Sequence, residues 1–395
     1  MSEWLRTARR FLDRDAFMIA GYRSYGSARR VLVRGRAMEN EGVKSAGEND
    51  SLWRNLLNSY RRIEADPLPN AVVRAHVGGA TADITADEEG FFLAWVDLPS
   101  PVTAADGWIP IQLELVTPAE PGVTVTGAAE ALLAPPTARF ITISDMDDTV
   151  LQSHVTSLVQ AFKTVLLGNA RTRLPFPGVA AFYRALHAGA SGAEQNPVFY
   201  VSSSPWNLYD LLIDFLEHQG IPRGPLTLRD WDINRQALGN SRLHRFKDAA
   251  IREIMGAFPD LPVILIGDSS QQDPEIYRNV VHEFPERVLA VYIRDVKRTP
   301  ERRAAVAALV AEVESARSVL VLADDTMAAA RHAAERGLID PAALGEIGGE
   351  KRMDEAAAPG KVGTPDVKAD ATTNTPVVVD AAPDDPADHG AQPKE

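Results

Sequence analysis

The sequence contains no cysteine and no long hydrophobic run. Without thiols the chain can form no disulfide, no thiolate metal site and no cysteine nucleophile, so any metal must be held by oxygen or imidazole ligands. No apolar run approaches the roughly 18 residues that a membrane-spanning helix needs. The first residues carry charges throughout, unlike a secretory signal peptide. We therefore expect a cytoplasmic protein without a transmembrane segment.

Basic residues are also relatively scarce. The chain has 41 Lys and Arg against 54 Asp and Glu, a net charge of −13, so a phosphate backbone would be repelled and nucleic-acid binding is not expected. Hydrophobic residues make up 45% of the 395 positions, enough to bury a sizeable core divided among domains.

The first two regions of the chain differ in pattern. In residues 1–28, Trp4, Leu5, Ala8, Phe11 and Leu12 recur at helical spacing with arginines between them, which predicts an amphipathic helical segment. Such a face can pack on the following domain or rest on anionic lipid. Residues 29–135 read as short strands (31–36, 71–77, 91–96 and 109–116) with an inserted helix over 52–60, which predicts a small β-sandwich.

Residues 136–340 alternate continuous apolar runs with helical patterns. The runs lie at 140–144, 198–201, 226–228, 263–266 and 288–293, which is typical of a parallel sheet covered on both faces. We therefore predict an α/β fold with a doubly wound, mostly parallel sheet, followed by helices over 301–316 and 326–336. Residues 341–395 are acidic and rich in Pro and Ala, which predicts a disordered tail.

Carboxylates follow two of the apolar strands. Asp145, Asp147 and Asp148 come after the first, and Asp268 and Asp273 after another. Acidic turns are often merely solvated, but ligand sites in open α/β sheets lie at the carboxyl ends of strands. If these two strands are neighbours, the acids repel one another unless a cation joins them. A hard divalent ion, Mg²⁺, is the expected partner of oxygen ligands.

Hydroxyl groups and a lysine complete the candidate set. Ser202, Ser203 and Ser204 follow a third strand, where hydroxyls can bond a phosphoryl oxygen and Ser204 can cap the next helix. A serine hydrolase is disfavoured because no Gly-x-Ser-x-Gly elbow surrounds them. Lys247 lies near the start of a helix, where a lysine is ordinarily solvated, but its place in the chain order suits a site that gathers phosphate charge.

In chain order, these motifs resemble the four motifs of the haloacid dehalogenase superfamily of phosphatases. More narrowly, Ser-Asp-Met-Asp-Asp-Thr149, Tyr200-Val-Ser-Ser-Ser-Pro-Trp-Asn-Leu-Tyr209, Leu228-Arg-Asp-Trp231 and Ala290-Val-Tyr-Ile-Arg-Asp-Val296 resemble the catalytic domain of the actin-patch-associated phosphatidate phosphatases. The resemblance covers 138–339, and weaker similarities (21–26 and 85–92) extend it to the preceding region of bacterial relatives.

The resemblance implies two catalytic carboxylates. Asp145 would be the nucleophile that forms an aspartyl-phosphate, and Asp147 the general acid and then the general base. Ser202 and Lys247 would hold the phosphoryl oxygens, with Ser203 as a rival to Ser202. Asp148 is expected to be non-catalytic.

The resemblance also implies a magnesium site. Asp268 would hold Mg²⁺ together with the Asp145 carboxylate and the Asp147 backbone carbonyl, with Asp273 as a further ligand or orienting group. The ion would screen the repulsion between the nucleophile and the phosphate.

The expected function is a Mg²⁺-dependent phosphatidate phosphatase that visits membranes peripherally and releases diacylglycerol and phosphate. Only a helix over 155–168 is available as a lid, and an open site suits a substrate anchored in a membrane. One alternative is a phosphatase of a soluble phosphoester or a phosphoprotein. Another is a non-catalytic, phosphatase-like module that binds a membrane or a protein. Protein partners are unknown from the sequence.

Overall fold

The computed structural model describes residues 16–40, 65–104, 106–119, 122–146, 177–229, 240–269, 272–295, 299–315, 320–323 and 325–356. These residues contain strands β1 to β14 and helices α1 to α7 in two groups. The N-terminal strands are β1 (Ala16–Gly21), β2 (Ser24–Ser27), β3 (Arg30–Asn40), β4 (Val72–Val77), β5 (Ala80–Thr85), β6 (Phe91–Asp97), β7 (Trp108–Thr117) and β8 (Thr126–Leu133).

These eight strands form one N-terminal sheet. Its order is β1-β3-β2-β8-β7-β4-β5, with β6 paired to β3. Neighbouring strands are antiparallel except for β2 and β8, which are parallel. Residues alternate between buried and more exposed along β4 and β7, which is the period of a strand with one face on a core. The division into two facing sheets stays a prediction.

The start of this sheet corrects the expected N-terminal helical segment. Residues 16–27 form β1 and β2 rather than part of a helix, because Phe17 and Ile19, two residues apart, both point into the core of the N-terminal sheet. The helical pattern itself (4–12) lies outside the described residues, as do the expected helices over 52–60 and 155–168.

The second group of elements alternates strands and helices. The strands are β9 (Ile141–Asp145), β10 (Val198–Pro205), β11 (Leu226–Arg229), β12 (Val263–Asp268), β13 (Val288–Arg294) and β14 (Leu320–Ala323). The helices are α1 (Val179–Ala188), α2 (Tyr209–His218), α3 (Asn240–Ala257), α4 (Asp273–Glu283), α5 (Pro300–Ser315), α6 (Thr326–Glu335) and α7 (Ala343–Ala356), and a short 3-10 turn (Trp206–Leu208) precedes α2.

All six strands of this C-terminal sheet are parallel, in the order β11-β10-β9-β12-β13-β14. Every residue of β9 and β12 is buried, because helices pack on both faces. Along β12, Ile264 and Ile266 contact one hydrophobic cluster, and Val263 and Leu265 contact the other. The predicted α/β class is confirmed, while the narrower haloacid dehalogenase-like assignment stays a prediction.

Helix α7 corrects the expected disordered tail, which was predicted to begin at residue 341. Ile347 is fully buried against the core, and two carboxylates of α7 reach the start of α1. Glu350 accepts a hydrogen bond from the Ala181 backbone N–H at 2.9 Å, and Asp354 accepts one from the Gly178 N–H at 2.8 Å. A composition rule misses this helix because its contacts with the core depend on a few buried side chains and on bonds to other elements, not on a high apolar content.

Replacing Glu350 with alanine should destabilise the protein, because it removes the acceptor of the Ala181 N–H, which has no partner within α1, and the ion pair with Arg184. We expect the free energy of unfolding to fall by about 1 kcal/mol, the usual effect of losing a helix N-terminal acceptor. Urea titration measures the change. The control is Glu355→Ala, which removes an exposed pair with Lys351. Equal effects of the two substitutions would contradict the capping role.

The described helices include no segment long and apolar enough to cross a bilayer.

Candidate active site

Three adjacent strands of the C-terminal sheet, β10, β9 and β12, carry the candidate residues to one place. Asp145 is the last residue of β9, and its Cα pairs with that of Val201 on β10. Ser202 follows Val201 directly. On the other side of β9, Ile266 of β12 pairs with Ser144, two residues before Asp268. The predicted neighbourhood of the two acid-bearing strands is therefore confirmed.

Lys247 links two of these carboxylates from helix α3. Its Nζ lies 2.8 Å from Asp145 Oδ1 and 3.2 Å from Asp273 Oδ1. The lysine is only 4% exposed, because its helix lays an apolar face on the sheet and carries the amine inward. This burial rules out the alternative that Lys247 is an ordinary solvated lysine at a helix end.

Asp273 approaches the site from the start of α4. It is fully buried, and its Oδ2 accepts a hydrogen bond from the Asp268 backbone N–H at 3.2 Å. Glycine at position 267 permits this approach, because a Cβ there would lie 2.5 Å from Asp273 Oδ2. The five-residue spacing of Asp268 and Asp273 thus brings the two acids together, as predicted.

The three acids form a group that could hold a metal ion. One carboxylate oxygen from each of Asp145, Asp268 and Asp273 lies within 4.8 Å of the others. Burial raises the pKa of Asp273, and the charge of Asp268 raises it further, while Lys247 opposes the change. An all-oxygen donor set of this kind fits a hard divalent cation such as Mg²⁺. The positive charge of such an ion would further lower the repulsion among the three carboxylates, which Lys247 offsets only in part.

Ser202 lies buried at the edge of this group. Its hydroxyl donates to Ser204 Oγ at 2.8 Å and accepts from the Ser204 backbone N–H at 3.1 Å. The expected capping role of Ser204 is wrong, because Pro205 occupies the cap position of the 3-10 turn and no side-chain cap bond forms. Ser203 is half-buried, and the choice between Ser202 and Ser203 as the phosphate contact stays a prediction.

Asp147 lies outside the described residues, and so do Asp148 and Thr149. The role of Asp147 as acid and base therefore stays a prediction, as does its part in metal binding.

Sequence reasoning missed a buried contact beneath the nucleophile candidate. Ser144 Oγ and the Tyr183 hydroxyl share a hydrogen bond of 2.6 Å, and burial raises the pKa of this tyrosine. The bond fastens α1 to the residue before Asp145. Tyr183 lies in an apolar helical pattern, and a phenol there gives no sequence signal that distinguishes it from ordinary core packing.

A second missed contact holds the loop after β12. Arg302 of α5 donates from Nε to the Ser269 carbonyl at 2.8 Å, one residue after Asp268, and it also pairs with Glu275 of α4. Asp295, at the end of β13, pairs with Arg303 and accepts a bond from Ser269 Oγ at 3.5 Å. Asp295 belongs to the motif over 290–296 described above, but no sequence pattern indicates its partners on α5.

Comparisons with known proteins bear on this part of the chain. Residues 140–295 match the family model described as "Phosphatidate phosphatase APP1, catalytic domain". Phosphatidate phosphatase APP1 of Saccharomyces cerevisiae is 32% identical over 153 residues, which are 38% of this chain and 25% of the yeast protein. An uncharacterised protein of Schizosaccharomyces pombe is 31% identical over 157 residues, 39% of this chain and 25% of its own. The resemblance predicted from the motifs is confirmed.

The chain spans about a quarter of the length of these curated relatives. Among solved structures, a carbohydrate acetylesterase from Xanthomonas citri matches with a TM-score of 0.23 and 11% identity over 75% of this chain and 72% of its own. A score this low supports no argument about fold or activity.

Proposed function

We propose that residues 140–295, which match the catalytic domain of phosphatidate phosphatase APP1, make the chain a phosphoric monoester hydrolase acting on phosphatidate. One observation supports the reaction above all: Lys247 and the three carboxylates of Asp145, Asp268 and Asp273 meet at the ends of adjacent strands. A buried carboxylate held beside a cation is what nucleophilic attack on a phosphate dianion requires.

In the proposed reaction, a carboxylate oxygen of Asp145 attacks phosphorus. The ester P–O bond breaks as Asp147 gives its proton to the leaving oxygen of diacylglycerol. Asp147 then takes a proton from water, whose oxygen attacks the aspartyl-phosphate and breaks the P–O bond to Asp145. Phosphate leaves, and both carboxylates return to their starting forms. Lys247 and Ser202 donate hydrogen bonds to the phosphoryl oxygens through both steps.

Asp145, Asp268 and Asp273 are the residues proposed to hold Mg²⁺, with Asp147 as a further ligand. When bound, the ion neutralises charge between the carboxylates and the phosphoryl group. The proposal for Mg²⁺ rests on the oxygen donor set and its closeness.

Phosphate release across a substrate panel tests the function and its alternatives together. We expect Mg²⁺-stimulated release from phosphatidate in mixed micelles, at a kcat/KM above that for a sugar phosphate, a nucleotide or a phosphopeptide. A preference for one of the soluble compounds would replace the lipid assignment. Binding to liposomes or a protein without hydrolysis of any phosphomonoester would favour the non-catalytic alternative. Peripheral contact with membranes is checked in the same series by liposome co-sedimentation.

Removal of divalent metal should abolish this activity. We expect EDTA to lower phosphate release by at least about 100-fold, since a metal ion contributes several kcal/mol to charge stabilisation. Mg²⁺ should also raise the melting temperature, because a ligand that binds only the folded state stabilises it. Asp268→Asn should lose that rise, whereas Asp248→Asn, which alters an ion pair with Arg252, should keep it. A metal-induced rise of equal size in both variants would refute the assigned site.

A further inference from the structure

The N-terminal sheet contacts the C-terminal sheet through one arginine and three aromatic residues, here called the joint: Arg34, Tyr22, Trp206 and Tyr209. Tyr22 stacks on Trp206 with ring centroids 4.9 Å apart and an interplanar angle of 17°. Its ring also lies 4.4 Å from that of Tyr209. The Tyr209 hydroxyl accepts a hydrogen bond from the Arg23 backbone N–H at 2.7 Å. The joint therefore connects the N-terminal part of the sheet, from β1 through β3, with the segment that follows β10.

Arg34 is the centre of the joint. It is 4% exposed, and its guanidinium donates to the Leu226 carbonyl at 3.0 Å and to Thr227 Oγ1 at 3.4 Å. The same group donates to the Arg23 carbonyl at 2.6 Å and lies 5.0 Å from the centre of the Trp206 ring. A planar guanidinium can make these in-plane bonds and face an aromatic ring at once, which a lysine cannot. One side chain thus holds β11 and Trp206 together.

These two attachment points flank an irregular stretch of β10. Val201 pairs with Thr227, and Pro205 pairs with Arg229. Between these pairs β10 has three residues, 202–204, whereas β11 has only one, so the register shifts. An excess of residues on one strand forms a bulge, which turns side chains away from their regular direction. The bulge contains Ser202, the proposed phosphate contact.

Arg34 contacts residues on both sides of this bulge. Thr227 lies opposite the residue before it, and Trp206 follows the residue that closes it. Fixing both ends limits the conformations available to the three residues between them, so the Ser202 side chain keeps one position before substrate arrives. On binding, its hydroxyl has only to turn its hydrogen from Ser204 Oγ to a phosphoryl oxygen, so little ordering remains to occur.

We infer that Arg34 is a positioning residue for the phosphatase reaction, acting through the bulge that presents Ser202. The N-terminal sheet is then part of the catalytic unit. The inference rests on the proposed function, in which Ser202 holds a phosphoryl oxygen.

Arg36 provides a matched control on the same strand. It is similarly buried, at 9% exposure, and also lies over an aromatic ring, that of Phe91, at 4.9 Å. Its Nε donates to the Glu89 carbonyl at 3.0 Å, so these contacts stay within the N-terminal sheet. Replacing Arg36 therefore disturbs the same sheet by a similar loss without releasing the bulge.

The test measures binding of inorganic phosphate, as inhibition of turnover and as the rise of melting temperature with phosphate concentration. Arg34→Met should weaken phosphate binding about 10-fold, the loss of one well-placed hydrogen bond to a charged group. Arg36→Met should weaken it less than about twofold. In a Ser202→Ala background, Arg34→Met should add less than about twofold, because residues that act through one contact are not additive.

Two results would overturn the inference: equal phosphate affinity in Arg34→Met and Arg36→Met, or full additivity of Arg34→Met with Ser202→Ala. If Arg34→Met does not fold, Thr227→Val and Arg34→Lys are compared with Arg36→Met in its place, since each removes only some of the contacts of Arg34. Failure of the proposed function is distinguishable, because the wild-type protein would then show no turnover of phosphomonoesters. Normal wild-type turnover with no effect of Arg34 contradicts the positioning role alone.

Discussion

Replacing Asp145 with asparagine should lower phosphate release by at least about 10³-fold, the scale at which enzymes lose rate when their nucleophile is removed. The amide keeps the shape of the side chain at the end of β9 but cannot supply the electron pair that forms the aspartyl-phosphate. The measurement is kcat for phosphate release from phosphatidate in mixed micelles. Rapid acid quench with labelled substrate should also trap a hydroxylamine-sensitive phosphoenzyme in the wild-type protein and none in Asp145→Asn.

The fold should survive this substitution well enough to assay, because β9 is held by its neighbours on both sides and by the bond from Ser144 to Tyr183. Asp210→Asn on α2 is the control for an Asp-to-Asn exchange away from the site. Turnover of Asp145→Asn at the wild-type rate would remove the nucleophile assignment, and with it the two-step reaction.

Replacing Lys247 with methionine should have the largest effect on stability. The amine is buried between Asp145 and Asp273, at 2.8 and 3.2 Å, and its removal leaves two carboxylates without that cation. Breaking a buried pair from one side costs about 3 to 5 kcal/mol. Urea titration at neutral pH without divalent metal should show a loss of this size, together with a large fall in turnover. Added Mg²⁺ should restore part of the stability, because it supplies positive charge to the same acids.

The loss in Lys247→Met should also depend on pH. The pKa of Asp273 is already raised by burial, and removing the lysine, which opposes that change, raises it further. A carboxyl group whose folded pKa exceeds its unfolded pKa favours folding at low pH, and this contribution is lost as pH rises through the folded value. The variant should therefore be less impaired near pH 4 than at pH 7. Lys351→Met, which breaks the more exposed pair with Asp325, should cost about 1 kcal/mol or less and depend little on pH.

The parts of the site that the sequence predicts are those set by local pattern. Asp145 and Asp268 each end a continuous apolar run, and the parallel pairing of such runs brings their ends together. The position of Lys247 in the chain order predicts its place in the site. Its contacts with Asp145 and Asp273 are seen only in the structure. The α/β class follows from the same alternation of runs and helices.

The parts that the sequence does not predict depend on contacts between distant segments. Arg34 lies between Val33 and Gly35 of β3, where an arginine normally indicates a solvated face. Its partners on β11 are 192 and 193 residues away along the chain. Tyr183 and Glu350 act through hydrogen bonds and an ion pair with residues of other elements. No periodicity encodes such bonds, because each depends on which helix or sheet packs opposite.

Helix α7 and the joint at Arg34 have a consequence for where this protein can be divided. The match to known phosphatases begins at residue 140 and ends at 295, but the compact unit that contains it extends well past both limits. Cutting at the limits of the match would uncover the apolar faces that Val306 and Ile347 close on one side and Leu32 on the other. The stretch that resembles known phosphatases is therefore shorter than the compact unit in which its apolar faces are covered.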